Sequence, residues 1–390
     1  MDNFQFYSPT YFEFGRGAED KVGELLKRFG ASKVLIHYGG GSVQKSGLLD
    51  KVRANLEKAN IPFFELGGVK PNPRSGLVYE GIDICKKEGV DFILAVGGGS
   101  VIDSSKAIAA GACSDEDFIN FYRGKAKFDK ALPVGTILTI AAAGSEGSGN
   151  SVINDEETGK KKGIRGDVLR PKFSILNPEW TMTLPVYQTA AGCTDIMAHV
   201  MERYFSNTEG VEITDKLCEA ILGTIIKEAP KAIENPKDYD ARANIMWAGM
   251  LAHNNVCGVG RVQDWASHHM EHELSALYDV THGAGLAVMF PAWMRYVVNI
   301  NPGKLVDFAR NVMEVEEAED DMATAMRGIE KFEAFLKSIG MPLTFDEIGA
   351  KEEDIDYLTE KLLGKNKTEG NYVKLEAEDV KKIYHFAANR

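Results

Sequence analysis

The sequence predicts two domains, an α/β domain built on a parallel sheet over residues 1–183 and an all-helical domain over residues 184–390. Three observations carry this. A chain of 390 residues exceeds what one hydrophobic core comfortably serves. From about residue 30 to 180, short apolar runs ending in glycines alternate with amphipathic stretches, the rhythm of β-α-β units. Beyond Thr183-Leu184-Pro185 the glycine triplets give way to stretches with apolar positions three and four apart, which is the helical period.

The first strand expected is Lys33-Val34-Leu35-Ile36-His37-Tyr38, an apolar run suited to burial on both faces. It ends in Gly39-Gly40-Gly41-Ser42, and a helix follows from Leu48 to Ala59. Asp91-Phe92-Ile93-Leu94-Ala95-Val96 repeats the design, with Gly97-Gly98-Gly99-Ser100 as its turn and a helix through Ala109. A third run, Val134 to Ile140, leads into the small-residue turn Ala141 to Gly149. Downstream, Asp215 to Ala229 and Met322 to Leu336 read as helices.

Hydrophobic residues make up 44% of the chain and charged residues 26%, the balance of a folded globular protein, which excludes disorder. A net charge of −12 opposes phosphate backbones and anionic lipid, so neither nucleic acid nor membrane is expected as a partner. The five cysteines are spread out and form no C-x-x-C pair, which fits a reducing compartment. No basic leader precedes an apolar core and no apolar run approaches a membrane span, so a soluble, cytoplasmic protein is expected.

A glycine run between a buried strand and a helix lets backbone N–H groups approach an anion, and the helix dipole favours it. Two such turns in one domain point to a dinucleotide, with Gly97-Gly98-Gly99-Ser100 as the pyrophosphate candidate. Neither G-x-G-x-x-G nor the P-loop motif is present. An unphosphorylated adenosine ribose is commonly held by a carboxylate. Gly39, Gly40, Gly41 and Ser42 offer none, which favours NADP(H) over NAD(H), with Lys45 close by in sequence.

Residues four apart on a helix share a face, so Asp195 and His199 can point an oxygen and a nitrogen at one ion. His268 and His272 repeat the spacing, and His282 follows after a stretch able to turn the chain back. Five of the eight histidines fall between His253 and His282, more clustering than packing asks for. Asp195, His199, His268 and His282 give a mixed oxygen and nitrogen set without thiolate, suited to catalytic Fe²⁺ or Zn²⁺. His37, His253 and His385 read as hydrogen-bonded structural residues, whereas Trp265 and Tyr278 read equally as an apolar pocket or as ordinary core.

On these motifs the chain resembles the iron-containing (group III) alcohol dehydrogenases, nearest to their butanol dehydrogenase and broad aldehyde reductase branch. The resemblance rests on the two glycine-serine turns, Pro71-Asn72-Pro73, Gly144-Ser145-Glu146, Asp195-x-x-x-His199-x-x-Glu202, and His268-x-x-x-His272 with His282-Gly283. One departure is Ala141-Ala142-Ala143-Gly144, where many members carry a threonine-glycine pair. The resemblance implies a metal held by Asp195, His199, His268 and His282, with His272 outside the ligand set near substrate and cofactor. It implies a pyrophosphate site at Gly98, Gly99 and Ser100, with Asp103 toward the nicotinamide and adenosine against the first glycine turn and Asn72. Thr139 and Lys161 are implied as further cofactor contacts, and a homodimer as the assembly.

The expected activity is a metal-dependent, NAD(P)H-linked oxidoreductase on small primary alcohols and aldehydes, with His272 passing the alcohol proton toward solvent. A dehydroquinate-synthase-like lyase shares a comparable plan. Its polyanionic substrate needs several cations, and only Arg203 and Arg261 stand near the candidate ligands in sequence. A non-enzymatic nucleotide-binding protein predicts no substrate-dependent oxidation of the cofactor. A hydrolase is disfavoured because Ala143-Gly144-Ser145-Glu146-Gly147 lacks the first glycine of the G-x-S-x-G elbow.

Overall fold

The computed structural model describes residues 1–389, which fall into two compact units, residues 7–183 and residues 184–389 together with 1–6. The sequence reading assigned the first six residues to the sheet domain. They belong instead with the helical unit, where the amino group of Met1 donates to the Glu209 carbonyl and Asp2 N–H to the Gly260 carbonyl.

In the first unit six strands form one parallel sheet: β1 (Tyr11–Phe14), β2 (Val34–Tyr38), β3 (Phe63–Leu66), β4 (Phe92–Gly97), β5 (Val134–Leu138) and β8 (Phe173–Leu176). Their order across the sheet is β1-β8-β5-β4-β2-β3. A separate antiparallel hairpin joins β6 (Asn150–Asp155) to β7 (Lys160–Arg165). The expected strands correspond to β2, β4 and β5, whose residues are almost all buried because helices cover both faces. Alternate side chains feed two cores: Val34 and Ile36 pack with Val22, Leu49 and Val52, while Leu35 and Ile93 pack with Val78 and Ile108.

The second unit contains no β-strand among its described residues. Its centre is the pair of helices Val186–Tyr204 and His282–Val297, buried on nearly every face and packed on each other. Around them stand Glu212–Glu234, Tyr239–His253, Ala266–Tyr278, Asp321–Ser338 and Ala377–Ala388. No described helix is long and apolar enough to cross a membrane.

A charged group is enclosed in the sheet unit. Lys106, on the helix Gly99–Ala112, is fully buried, and its Nζ donates to Ser145 O (2.7 Å), Ser145 Oγ (2.8 Å), Ser148 O (2.9 Å) and Asn150 O (2.8 Å). It thereby ties the loop after β5 to that helix. Burial pushes Lys106 down to about 8 and the neighbouring Glu146 carboxyl up to about 7. The folded state therefore retains a Glu146 proton that the unfolded chain, titrating near 4.5, has already released. The associated stability is complete below the unfolded value and is lost as pH rises through about 7. Glu146→Gln should flatten this part of the profile. Unfolding free energies from urea titration should nearly coincide at pH 4.5 and favour the variant at pH 8, by on the order of 3 kcal/mol; parallel profiles would contradict the assignment.

Candidate active site

The helix Val186–Tyr204 presents Asp195, His199 and Glu202 at positions i, i+4 and i+7, one stripe of a helix that is otherwise apolar there. The helix Ala266–Tyr278 supplies His268, Glu271 and His272, and its ends are set by Trp265 (φ 73°) and Asp279 (φ 53°). Two residues beyond Val280, His282 opens the helix His282–Val297. Gly283 lets this last helix reach the first, since a Cβ there would lie 1.9 Å from the Ala191 carbonyl oxygen.

This packing gathers three of the four sequence-predicted ligands, with His199 beside them. One donor atom each from Asp195, His268 and His282 lies within 4.8 Å of the others. His282 Nε2 is 3.7 Å and His199 Nδ1 3.4 Å from Asp195 Oδ1. The His199 ring stands 4.8 Å from that of His268, centroid to centroid. His272 lies at the edge of the group, its ring 5.5 Å from His282 and 6.4 Å from His268.

The environment suits a cation. Asp195, His199 and His268 are buried, and His268 Nε2 and His199 Nδ1 make no hydrogen bond. Leaving such atoms dry costs about 1–3 kcal/mol each. Burial holds both imidazoles well below their ordinary pKa, with the neighbouring histidines and Arg203 adding to the effect, so they are neutral and carry a free lone pair. A mixed oxygen and nitrogen set without sulfur fits Fe²⁺ or Zn²⁺.

In the sheet unit, β2 and β4 are adjacent, yet the chain leaves β2 for β3 on one side and returns to β4 on the other. That is the topological switch point, where ligands bind outside the carboxyl ends of the strands in open α/β sheets. Both glycine turns lie there, because Tyr38 pairs with Val96 at the strand ends. A side chain at Gly98 would sit 2.2 Å from Ile140, so glycine there lets the loop after β5 close over the second glycine turn. The helix Gly99–Ala112 that follows has no side-chain cap on its N-terminus.

The other predicted contacts assemble in the same unit. Thr139 N–H donates to Gly97 O (3.1 Å), Gly68 N–H to Gly39 O (2.9 Å), and Lys161 Nζ to Asn72 Oδ1 (3.1 Å). Asn72 has φ 54° and Asn154 N–H binds Pro73 O, so the β6-β7 hairpin braces the Pro71-Asn72-Pro73 segment. Asp103 accepts from Ser145 Oγ (2.6 Å) and Val152 N–H (3.0 Å).

Sequence reasoning missed several participants. Glu202 appeared only as a motif letter and Glu271 not at all, yet both bind ligand-type histidines. His253, read as structural, does accept from Arg203 (3.0 Å), but its ring also lies 4.2 Å from that of His199. Trp265 stands at the site, 5.0 Å from the His268 ring, whereas the Tyr278 hydroxyl is engaged by Asp354 and by Lys351 N–H. His37 is structural, with its two nitrogens on Leu66 O and Ser104 Oγ.

Comparison with known proteins agrees with this architecture. Residues 9–178 match the family profile described as iron-containing alcohol dehydrogenase, and residues 189–388 match that of the C-terminal part of the Fe-containing alcohol dehydrogenase family. The chain is 43% identical over 386 residues to the NADH-dependent butanol dehydrogenase A of Clostridium acetobutylicum, covering 98% of this chain and 99% of that one. It is 36% identical to the NADPH-dependent aldehyde reductase YqhD of Escherichia coli, over 93% of each. The crystal structure of NADH-dependent butanol dehydrogenase A from Thermotoga maritima superposes with a TM-score of 0.96 at 42% identity, covering 100% of this chain and 99% of that one. The chain belongs to the iron-containing alcohol dehydrogenase family, metal-dependent oxidoreductases of alcohols and aldehydes that use a nicotinamide cofactor.

Proposed function

We propose that this enzyme interconverts small primary alcohols and their aldehydes, such as butanol and butanal, with Fe²⁺ or Zn²⁺ held by Asp195, His199, His268 and His282. The observation that carries this reading is the gathering of Asp195, His268 and His282 donors within 4.8 Å in a helical core, with His199 against Asp195. The names of the relatives, butanol dehydrogenase and aldehyde reductase, support the substrate class. When bound, the metal supplies Lewis-acid polarisation of the substrate oxygen and the nicotinamide supplies the hydride carrier.

The chain's own groups do the rest. Asp195 brings a carboxylate to a pocket of imidazoles. Trp265, beside His268 and His199, lines the apolar side where a short alkyl chain fits. His272, half-buried at the edge of the ligand group, takes the alcohol proton and passes it to solvent. In the sheet unit Gly98, Gly99 and Ser100 receive the pyrophosphate, Asp103 and Thr139 lie toward the nicotinamide, and Asn72 and Lys161 hold the adenosine side.

The cofactor assigned is NADP(H) over NAD(H). Gly39, Gly40, Gly41 and Ser42 carry no carboxylate to repel a 2′-phosphate, and Lys45 folds back beside Gly41. The butanol dehydrogenases at 42–43% identity are named NADH-dependent and the aldehyde reductase at 36% NADPH-dependent, so the assignment rests on the turn and not on the names. All five cysteines are free thiols, which supports a cytoplasmic enzyme, and family resemblance supports a homodimer.

Butanal-dependent oxidation of NADPH should disappear on chelation and return with Fe²⁺ or Zn²⁺; full activity in metal-free protein would overturn the proposal. In the same assay kcat/KM should be higher with NADPH than with NADH, and the reverse order would refute the cofactor assignment. His272→Ala should lower kcat by roughly 10²- to 10⁴-fold with metal content unchanged. Loss of the metal in that variant would instead make His272 a ligand.

A further inference from the structure

Two of the metal-site imidazoles each meet a buried carboxylate on the nitrogen opposite the site. Glu202 Oε1 accepts from His268 Nδ1 (2.7 Å) and from His268 N–H (3.0 Å), while Glu202 Oε2 accepts from Trp265 N–H (2.6 Å). Glu271 binds His282 Nδ1 through one oxygen and the Ser275 hydroxyl through the other. Glu202 is 1% exposed and Glu271 0%. Gly285 makes the room for Glu271, since a Cβ there would lie 2.7 Å from its Oε1. Neither carboxylate is free to serve as a general base in solvent, and each is placed by groups of fixed direction.

We propose that Glu202 and Glu271 are positioning residues that fix the Nδ1–H tautomer and ring orientation of His268 and His282, leaving both Nε2 atoms directed at one cation. The inference rests on the metal reading above and deepens it. An imidazole has two nitrogens, and which one carries the proton is set by the hydrogen bond the other side makes. Here the bracing passes from helix to helix. The helix Val186–Tyr204 aims His268 on Ala266–Tyr278, and that helix aims His282 on His282–Val297. Glu202 does a second task, because it also accepts the backbone N–H of Trp265, a bulky residue held at φ 73°. A left-handed conformation is unfavourable for such a side chain, and the carboxylate helps to hold it.

The test uses the full-length zinc-loaded protein. Glu202→Gln and Glu271→Gln keep size and shape but replace a charge-assisted acceptor by a neutral one. Each should weaken Zn²⁺ affinity, measured by chelator competition, by about 10- to 100-fold. In spectra of ¹⁵N-histidine-labelled protein, the downfield Nδ1–H resonance of the braced ligand should move upfield. The two variants perturb different histidines, so one that fails to fold leaves the other decisive. Wild-type affinity together with unmoved Nδ1–H resonances in a folded variant would overturn the inference. His268→Ala separates the two levels of argument. If it loses zinc while both Gln variants bind like wild type, the bracing role alone fails; if wild type itself binds no tighter than His268→Ala, the metal reading fails and this inference with it.

Discussion

The helical unit is organised around one unfavourable act, the enclosure of a carboxylate and several imidazoles in an apolar core. Asp195 and His199 sit on a helix whose residues from Thr189 to Tyr204 are all buried, and a buried ion costs several kcal/mol unless something compensates it. Arg203 turns to the His199 carbonyl and His253, and Arg261 to Asp215, Thr214 and backbone carbonyls. The compensation comes from geometry that recruits His268 and His282, for which Gly283 brings two helices to backbone contact. Any larger residue at 283 would separate Asp195 from His282, so a glycine with no left-handed conformation to serve is required by the site itself.

The sheet unit obeys a different constraint. A parallel sheet buried on both faces exposes only its strand ends, and the carboxyl ends of β2 and β4 are where connections diverge. Both glycine turns stand there, with Thr139 N–H bonded to the Gly97 carbonyl and Gly68 N–H to the Gly39 carbonyl. Lys106 makes the loop after β5 part of the same rigid frame, since its ammonium binds Ser145 and Ser145 in turn donates to Asp103. A buried cation behind this loop sets its position.

Much of this was legible in the residues. The strands β2, β4 and β5 were readable because they are apolar on both faces and end in small-residue turns, and the long helices announced themselves by their period. The strands β1, β3 and β8 were not, because each spans only four residues and takes its identity from its sheet partners. The β7 run Lys160-Lys161-Lys162-Gly163-Ile164-Arg165 is too polar to read as a strand without β6 beside it. The ligand-type spacing of Asp195 with His199 is local, so the sequence displayed it. The contacts of Glu202 with His268 and of Glu271 with His282 cross between helices and have no local signature. The hydroxyl partners of Tyr278, Asp354 and Lys351, lie more than seventy residues away and were likewise beyond a local reading.

The account stands on one cation bound by one oxygen and three imidazole nitrogens. X-ray absorption at the metal edge of the iron- or zinc-loaded protein measures that first shell directly. The account predicts light oxygen and nitrogen donors with the multiple-scattering pattern of three histidines and no sulfur. A thiolate in the shell, or an ion surrounded by water oxygens without histidine scattering, would contradict it.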